Sequence, residues 1–225
     1  MVDQTIHPRR RARRLASWGL AVVALGAAVT FVVSGISLIP PTLALGPCLR
    51  DWTSPSSYGT RASPLAALTF AVGDGHVRVC YGRPSARDRV VFGSLVPWGE
   101  PWRTGANEPT RLYTDTPITL AGIRLEPGRY SLYTIPAADR WQVIVNRSVL
   151  HWGNDLSDAV RDQDVGIGMV PSLTDSNFVE TFTIRPEAAG RATHLILEWE
   201  RTTVSIPLEP WAPRPGDRER LPPGA

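Results

Sequence analysis

One stretch constrains this chain more than any other. From Leu15 to Ile39, LASWGLAVVALGAAVTFVVSGISLI, there is no charged residue. A helix rises 1.5 Å per residue, so a run of this length crosses a hydrocarbon layer of about 30 Å with some tilt to spare. Arg9, Arg10, Arg11, Arg13 and Arg14 lie directly before it, against the single acid Asp3. Positive flanks stay on the cytoplasmic side. The expectation is a cytoplasmic basic tail over residues 1–14, a membrane span over 15–39 and an extracytoplasmic remainder. A cleaved signal peptide is the competing reading. Its apolar region would be unusually long, and the nearest small-residue pattern, Ala44-Leu45-Gly46, stands beside prolines well past the run.

That flank also explains the charge. The formal net charge is +3, and the first fourteen residues alone carry +4, which leaves the remainder close to neutral. A nucleic-acid partner needs a positive field, so none is expected. The chain has no lysine. We read that as codon bias and not as function.

Residues 40–64 are rich in Pro, Ser, Thr and Gly and read as a linker. Residues 210–225 are Pro-rich and charged and read as a disordered tail. Between them, residues 65–209 carry a repeated strand signal. Predicted strands are Leu65–Val72, His76–Tyr81, Val90–Phe92, Arg111–Thr114, Ile118–Leu120, Arg129–Ile135, Trp141–Asn146, Val179–Arg185, Thr193–Trp199 and Thr203–Leu208, with a weak helical signal at Leu156–Arg161. Hairpin turns are expected at Gly73–Gly75, Ala137–Arg140 and Glu200–Arg201. The predicted class is mainly β: an antiparallel β-sandwich, jelly-roll-like or immunoglobulin-like, behind one N-terminal transmembrane helix.

The two cysteines, Cys48 and Cys80, both follow the span. Disulfides persist outside the cytoplasm. Alternation along strand 76–81 puts Cys80 with His76 and Arg78, opposite Val77, Val79 and Tyr81. An outward Cys80 within reach of the linker predicts a Cys48–Cys80 bridge, worth about 3–4 kcal/mol by chain entropy. Two free thiols are the alternative.

The segment YGRPSARDRVVFGSLVPWGEPWRTGANEPT (Tyr81–Thr110) stands out. GRYSLYTIP (Gly128–Pro136), WQVIVNRSVLHWG (Trp141–Gly153) and VETFTI (Val179–Ile184) follow it in order. This ordered set resembles a bacterial family known as domain of unknown function 2911, over roughly residues 75–208. The resemblance implies a β-rich exported domain and no particular reaction.

The block concentrates charge: Arg83, Arg87, Arg89, Arg103 and Arg111, with Asp88, Glu100, Asn107 and Glu108 among them. Arginine offers a planar fork suited to carboxylate or phosphate. Gly99, Pro101 and Gly105 let the backbone turn, so Arg103, Asn107 and Glu108 could converge on one small polar or anionic ligand. Candidate ligand-binding residues are Arg83, Arg87, Arg103, Asn107, Glu108 and Trp152. The structural alternative is that Arg103 pairs with Glu108 or Glu100 and Asn107 fixes a turn, which braces the loop. Trp98, Trp102, Trp141 and Trp152 read either as a stacking platform or as core, with Trp152 the most exposed. His76, His151 and His194 have no metal-ligand spacing, so no metal and no cofactor is expected. Glu108 and His151 are the weak catalytic candidates.

Three function classes follow. The first is a non-catalytic extracytoplasmic binding domain at the cell envelope. The second is an envelope hydrolase acting on a sugar or ester, with Glu108 or His151 as acid/base. The third is a structural module whose motifs shape the fold.

Overall fold

The computed structural model describes Cys48 and residues 61–151, 153, 156–190 and 192–211. The predicted span, the basic tail, most of the linker, Trp152 and residues 212–225 lie outside the described residues. Among the described residues no helix is long and apolar enough to cross a membrane.

Apolar alternation starts the sheet. In β1 (Leu65–Val72) Ala66, Leu68 and Phe70 pack on the core while Ala67, Thr69 and Ala71 face out. Gly73, at φ +58°, turns the chain into β2 (Gly75–Gly82). There Val77, Val79 and Tyr81 point into the core and His76, Arg78 and Cys80 to the other face. After a long loop come β3 (Thr110–Thr114), β4 (Ile118–Leu120), β5 (Ile123–Leu125), β6 (Gly128–Pro136) and β7 (Arg140–Asn146). A single helical turn, α1 (Asp158–Arg161), precedes the long strands β8 (Asp164–Ala189) and β9 (Ala192–Pro210).

Among the described residues the strands pair antiparallel, and nine of them run in the order β1-β2-β3-β6-β7-β8-β9-β4-β5. β8 joins the two halves. Its residues 164–171 pair with β7, and residues 172–189 pair with β9, with register shifts on either side of Val179. Every strand contributes to one hydrophobic core. Its centre is aromatic: Phe92, Trp102, Trp141, Phe182 and Trp199 have ring centroids 5.1–6.0 Å apart.

The mainly β antiparallel expectation matches this architecture. Individual strands differ. Val90–Phe92 is a turn, because Val91, Val96 and Gly93 close on one another and send Phe92 into the aromatic centre. Thr193–Trp199 and Thr203–Leu208 are one strand: Glu200 adopts φ +56° opposite Val179 and makes a bulge where a hairpin was expected. The turn between β8 and β9 instead passes through Gly190.

The Cys48–Cys80 disulfide is present, with Cα atoms 5.6 Å apart. Alternation placed Cys80 on the face away from the core, and it is there. It is nonetheless buried, because Cys48 and Tyr113 pack against it.

Candidate functional site

The loop between β2 and β3 carries the candidate residues, and its backbone is held from several sides. Trp102 exchanges two backbone hydrogen bonds with Thr134 of β6, at 2.7 and 2.8 Å. Thr110 Oγ1 donates to the Thr104 carbonyl at 2.6 Å, and Thr104 Oγ1 donates to Thr134 Oγ1 at 3.0 Å. Thr104 and Asn107 sit at φ +56° and +64°. These left-handed positions are uncommon outside glycine. Gly82 permits the loop to cross: a Cβ there would fall 1.9 Å from the Ala106 carbonyl oxygen.

This bracing brings the candidates to one place, and what they meet there is the chain just before β1. Glu108 is 1 % exposed, and both of its oxygens accept from the Arg61 guanidinium, at 2.8 and 2.7 Å. The Arg61 side chain is itself 6 % exposed. Asn107 Nδ2 donates to the Ser63 carbonyl at 3.3 Å, and Arg87 Nη2 donates to the Ala62 carbonyl at 3.1 Å. The Arg83 amide donates to the Pro64 carbonyl at 2.9 Å. Four successive residues, Arg61 to Pro64, are thus each gripped by one residue of the block.

Arg103 stands behind this grip. Burial pushes its pKa down, and the Glu108 carboxylate pulls it partly back. The Glu108 carboxylate therefore lies in the field of two guanidiniums, those of Arg61 and Arg103. Arg83 reaches the other way, with Nε to the Phe182 carbonyl and Nη2 to Thr183 Oγ1, which ties the loop to β8. Arg111 Nε donates to the Val149 carbonyl at 2.7 Å. Arg89 bonds the carbonyls of Ser85 and Ala86.

The other candidates stand apart. His151 Nδ1 lies 3.0 Å from the Ser148 carbonyl and 3.2 Å from Ser148 Oγ. His194 Nδ1 is 2.7 Å from Ser205 Oγ, and His76 lies against Asp115. Among the described residues no group of three His, Cys, Asp or Glu side chains could hold a metal. Trp102 and Trp141 are core; Trp98 is half-exposed and stacks on Phe92.

A cleft of about 320 Å³ lies elsewhere, lined by Gly99, Ile135, Pro136, Ala137, Asp139, Arg140, Gln142 and Met169. The block supplies only Gly99 to it. Sequence reasoning missed both this cleft and Arg61. Arg61 sits in a stretch whose composition reads as linker, and no local pattern marks an arginine whose partner is 47 positions away.

Against known proteins, no curated protein and no solved structure matches the chain. A family model described as a protein of unknown function, DUF2911, matches residues 63–208. With well over half its length inside that match, the chain belongs to the DUF2911 family.

Proposed function

We propose that this protein is a membrane-anchored, extracytoplasmic, non-catalytic module, and that its signature loop is a clamp that seats the arriving chain on the domain. One observation carries the clamp reading. The polar side chains that could have met a ligand, Glu108, Asn107 and Arg87, are engaged with Arg61, Ala62 and Ser63. An open ligand site leaves such groups facing solvent. The anchor rests on the uncharged run Leu15–Ile39 and its arginine flank. The disulfide adds support for an extracytoplasmic place. A hydrolase has less to build on, because both Glu108 oxygens would have to give up Arg61 before they could handle a proton.

We read the nine strands as a sandwich. A flat sheet of nine strands would be about 38 Å wide, too wide for its edges to share one core, yet residues of β1 and β5 pack in the same cluster. An experimental structure with two separate cores would refute this.

A thermal-shift screen against sugars, organic acids and metals tests the functional reading. The clamp reading expects no class to shift the melting point. A ligand present at 100 times its Kd would add about 2.7 kcal/mol; a hit abolished by Glu108→Gln would return the loop to a binding role.

A further inference from the structure

The sheet ends on two edges, β1 and β5, and they are built differently. β5 is three residues long and covered. Ile123 lies over Gly166 of β8, and Arg124 pairs with Glu126 and sits over the Trp211 ring. β1 is eight residues long, LAALTFAV, with no charge, no proline and no bulge. Charge, proline and bulges are the devices that keep an edge from pairing with another chain. Among the described residues β1 pairs with β2 alone.

The free edge can be read residue by residue. The Arg83 amide donates to the Pro64 carbonyl, which fixes the parity of the β1–β2 ladder. Ala66, Leu68, Phe70 and Val72 turn their amides and carbonyls toward β2. Leu65, Ala67, Thr69 and Ala71 turn theirs to the open side.

The core is also unfinished here. Val77 and Val79 of β2 are fully buried. Their β1 partners Phe70 and Leu68 pack on the same core and yet stay partly exposed. A strand beyond β1 would close over them.

β1 fits a second copy of itself. In an antiparallel pair centred on Leu68, the outward main-chain groups match: Ala67 bonds Thr69 of the second copy, and Leu65 bonds its Ala71. On the core side Leu68 then meets Leu68, and Phe70 lies across from Ala66, so that a large side chain opposes a small one. With no charge on either strand, no like charges meet. The contact uses the same patch on both copies, as a twofold requires.

We infer that the open edge of β1 is a dimer interface, at which two copies of this chain join their sheets through an antiparallel β1–β1 pair centred on Leu68. The pairing depends on neither the anchor nor the clamp.

The test uses the full chain in detergent, with its mass followed by sedimentation equilibrium and its folding by circular dichroism. The wild type should be a dimer at micromolar concentration. Thr69→Pro removes an amide that faces away from β2, so it costs no bond within the chain and two across the pair. Thr69→Lys sets like charges on either side of the twofold. Each folded variant should dimerise at least tenfold more weakly; where Thr69→Pro fails to fold, Thr69→Lys decides. The pair also brings the two Leu68 Cα atoms to about 4.5 Å, within disulfide reach. Leu68→Cys should therefore cross-link to its copy severalfold more than Thr174→Cys, an exposed control on β8. A monomeric wild type overturns the interface. So does a dimer that Thr69→Lys leaves unweakened, and so does equal cross-linking at positions 68 and 174.

Discussion

Two arginine–carboxylate contacts in this protein use the same chemistry and do different things. Arg61 and Glu108 meet with two hydrogen bonds in a setting closed to solvent. Arg185 meets Glu198 and Glu187 on the outside of β8 and β9, with its side chain 42 % exposed. Each outside partner keeps Arg185 more firmly protonated than usual, yet water and salt screen such contacts, and exposed pairs contribute roughly 0–1 kcal/mol. A buried pair is not simply a stronger version. Its desolvation cost offsets much of its attraction, so its net contribution is small, but removal of one partner strands the other charge. The buried pair therefore fixes where the arriving chain sits, and the exposed pair decorates a strand.

The largest effect should come from breaking the buried contact. Glu108→Ala leaves Arg61 and Arg103 facing each other without their carboxylate, and should cost about 3–5 kcal/mol, measured by urea denaturation. Reduction of Cys48–Cys80, or Cys48→Ser with Cys80→Ser, should cost about 3–4 kcal/mol. A smaller loss would mean that residual structure already restricts the reduced, unfolded chain. Next comes Tyr133, whose hydroxyl donates to Asp164 at 2.7 Å. Tyr133→Phe should cost about 1–3 kcal/mol.

The same tyrosine gives a pH test. Burial and the Asp164 carboxylate both push the Tyr133 pKa up from 10.0. The folded state thus keeps a proton that the unfolded chain releases. Its contribution is intact below the ordinary tyrosine pKa of about 10 and is lost as pH rises beyond it. Stability should fall on the alkaline side, and fall less steeply in Tyr133→Phe. The smallest effect is expected at the surface: Glu198→Gln should change stability by under about 1 kcal/mol, and less in high salt. If Glu198→Gln matched Glu108→Ala in cost, the contrast between the two regions would collapse.

What the sequence revealed divides along the same line. β1, β4 and the inward positions of β2 could be read directly, because an alternation of apolar and polar residues is a local signal. The start of β8 could not. Gly166, Gly168 and Pro171 interrupt it, and its apolar residues Ile167 and Met169 face outward, against the usual pattern. β5 went unread although it is as long as β4 and shows the same apolar–polar–apolar alternation. Glu200 looked like a turn residue, and it does adopt a turn-like φ, but neighbouring strands continue through it as a bulge. Among the candidate residues, Asn107 and Glu108 both meet the chain before β1, and Arg103 lies in the field of Glu108. Their partners were invisible, since a contact across 47 positions leaves no trace in spacing. The disulfide was legible, because strand alternation and compartment together limited the options for Cys80.

The central claim is that Glu108 exists to hold Arg61. A double-mutant cycle with Arg61→Ala and Glu108→Ala, read by urea denaturation, tests it most directly. The account expects the double variant to be less destabilised than the two single losses added together, by at least about 2 kcal/mol. Losses that simply add would show that Glu108 serves some other partner, and the clamp would be the wrong account of this loop.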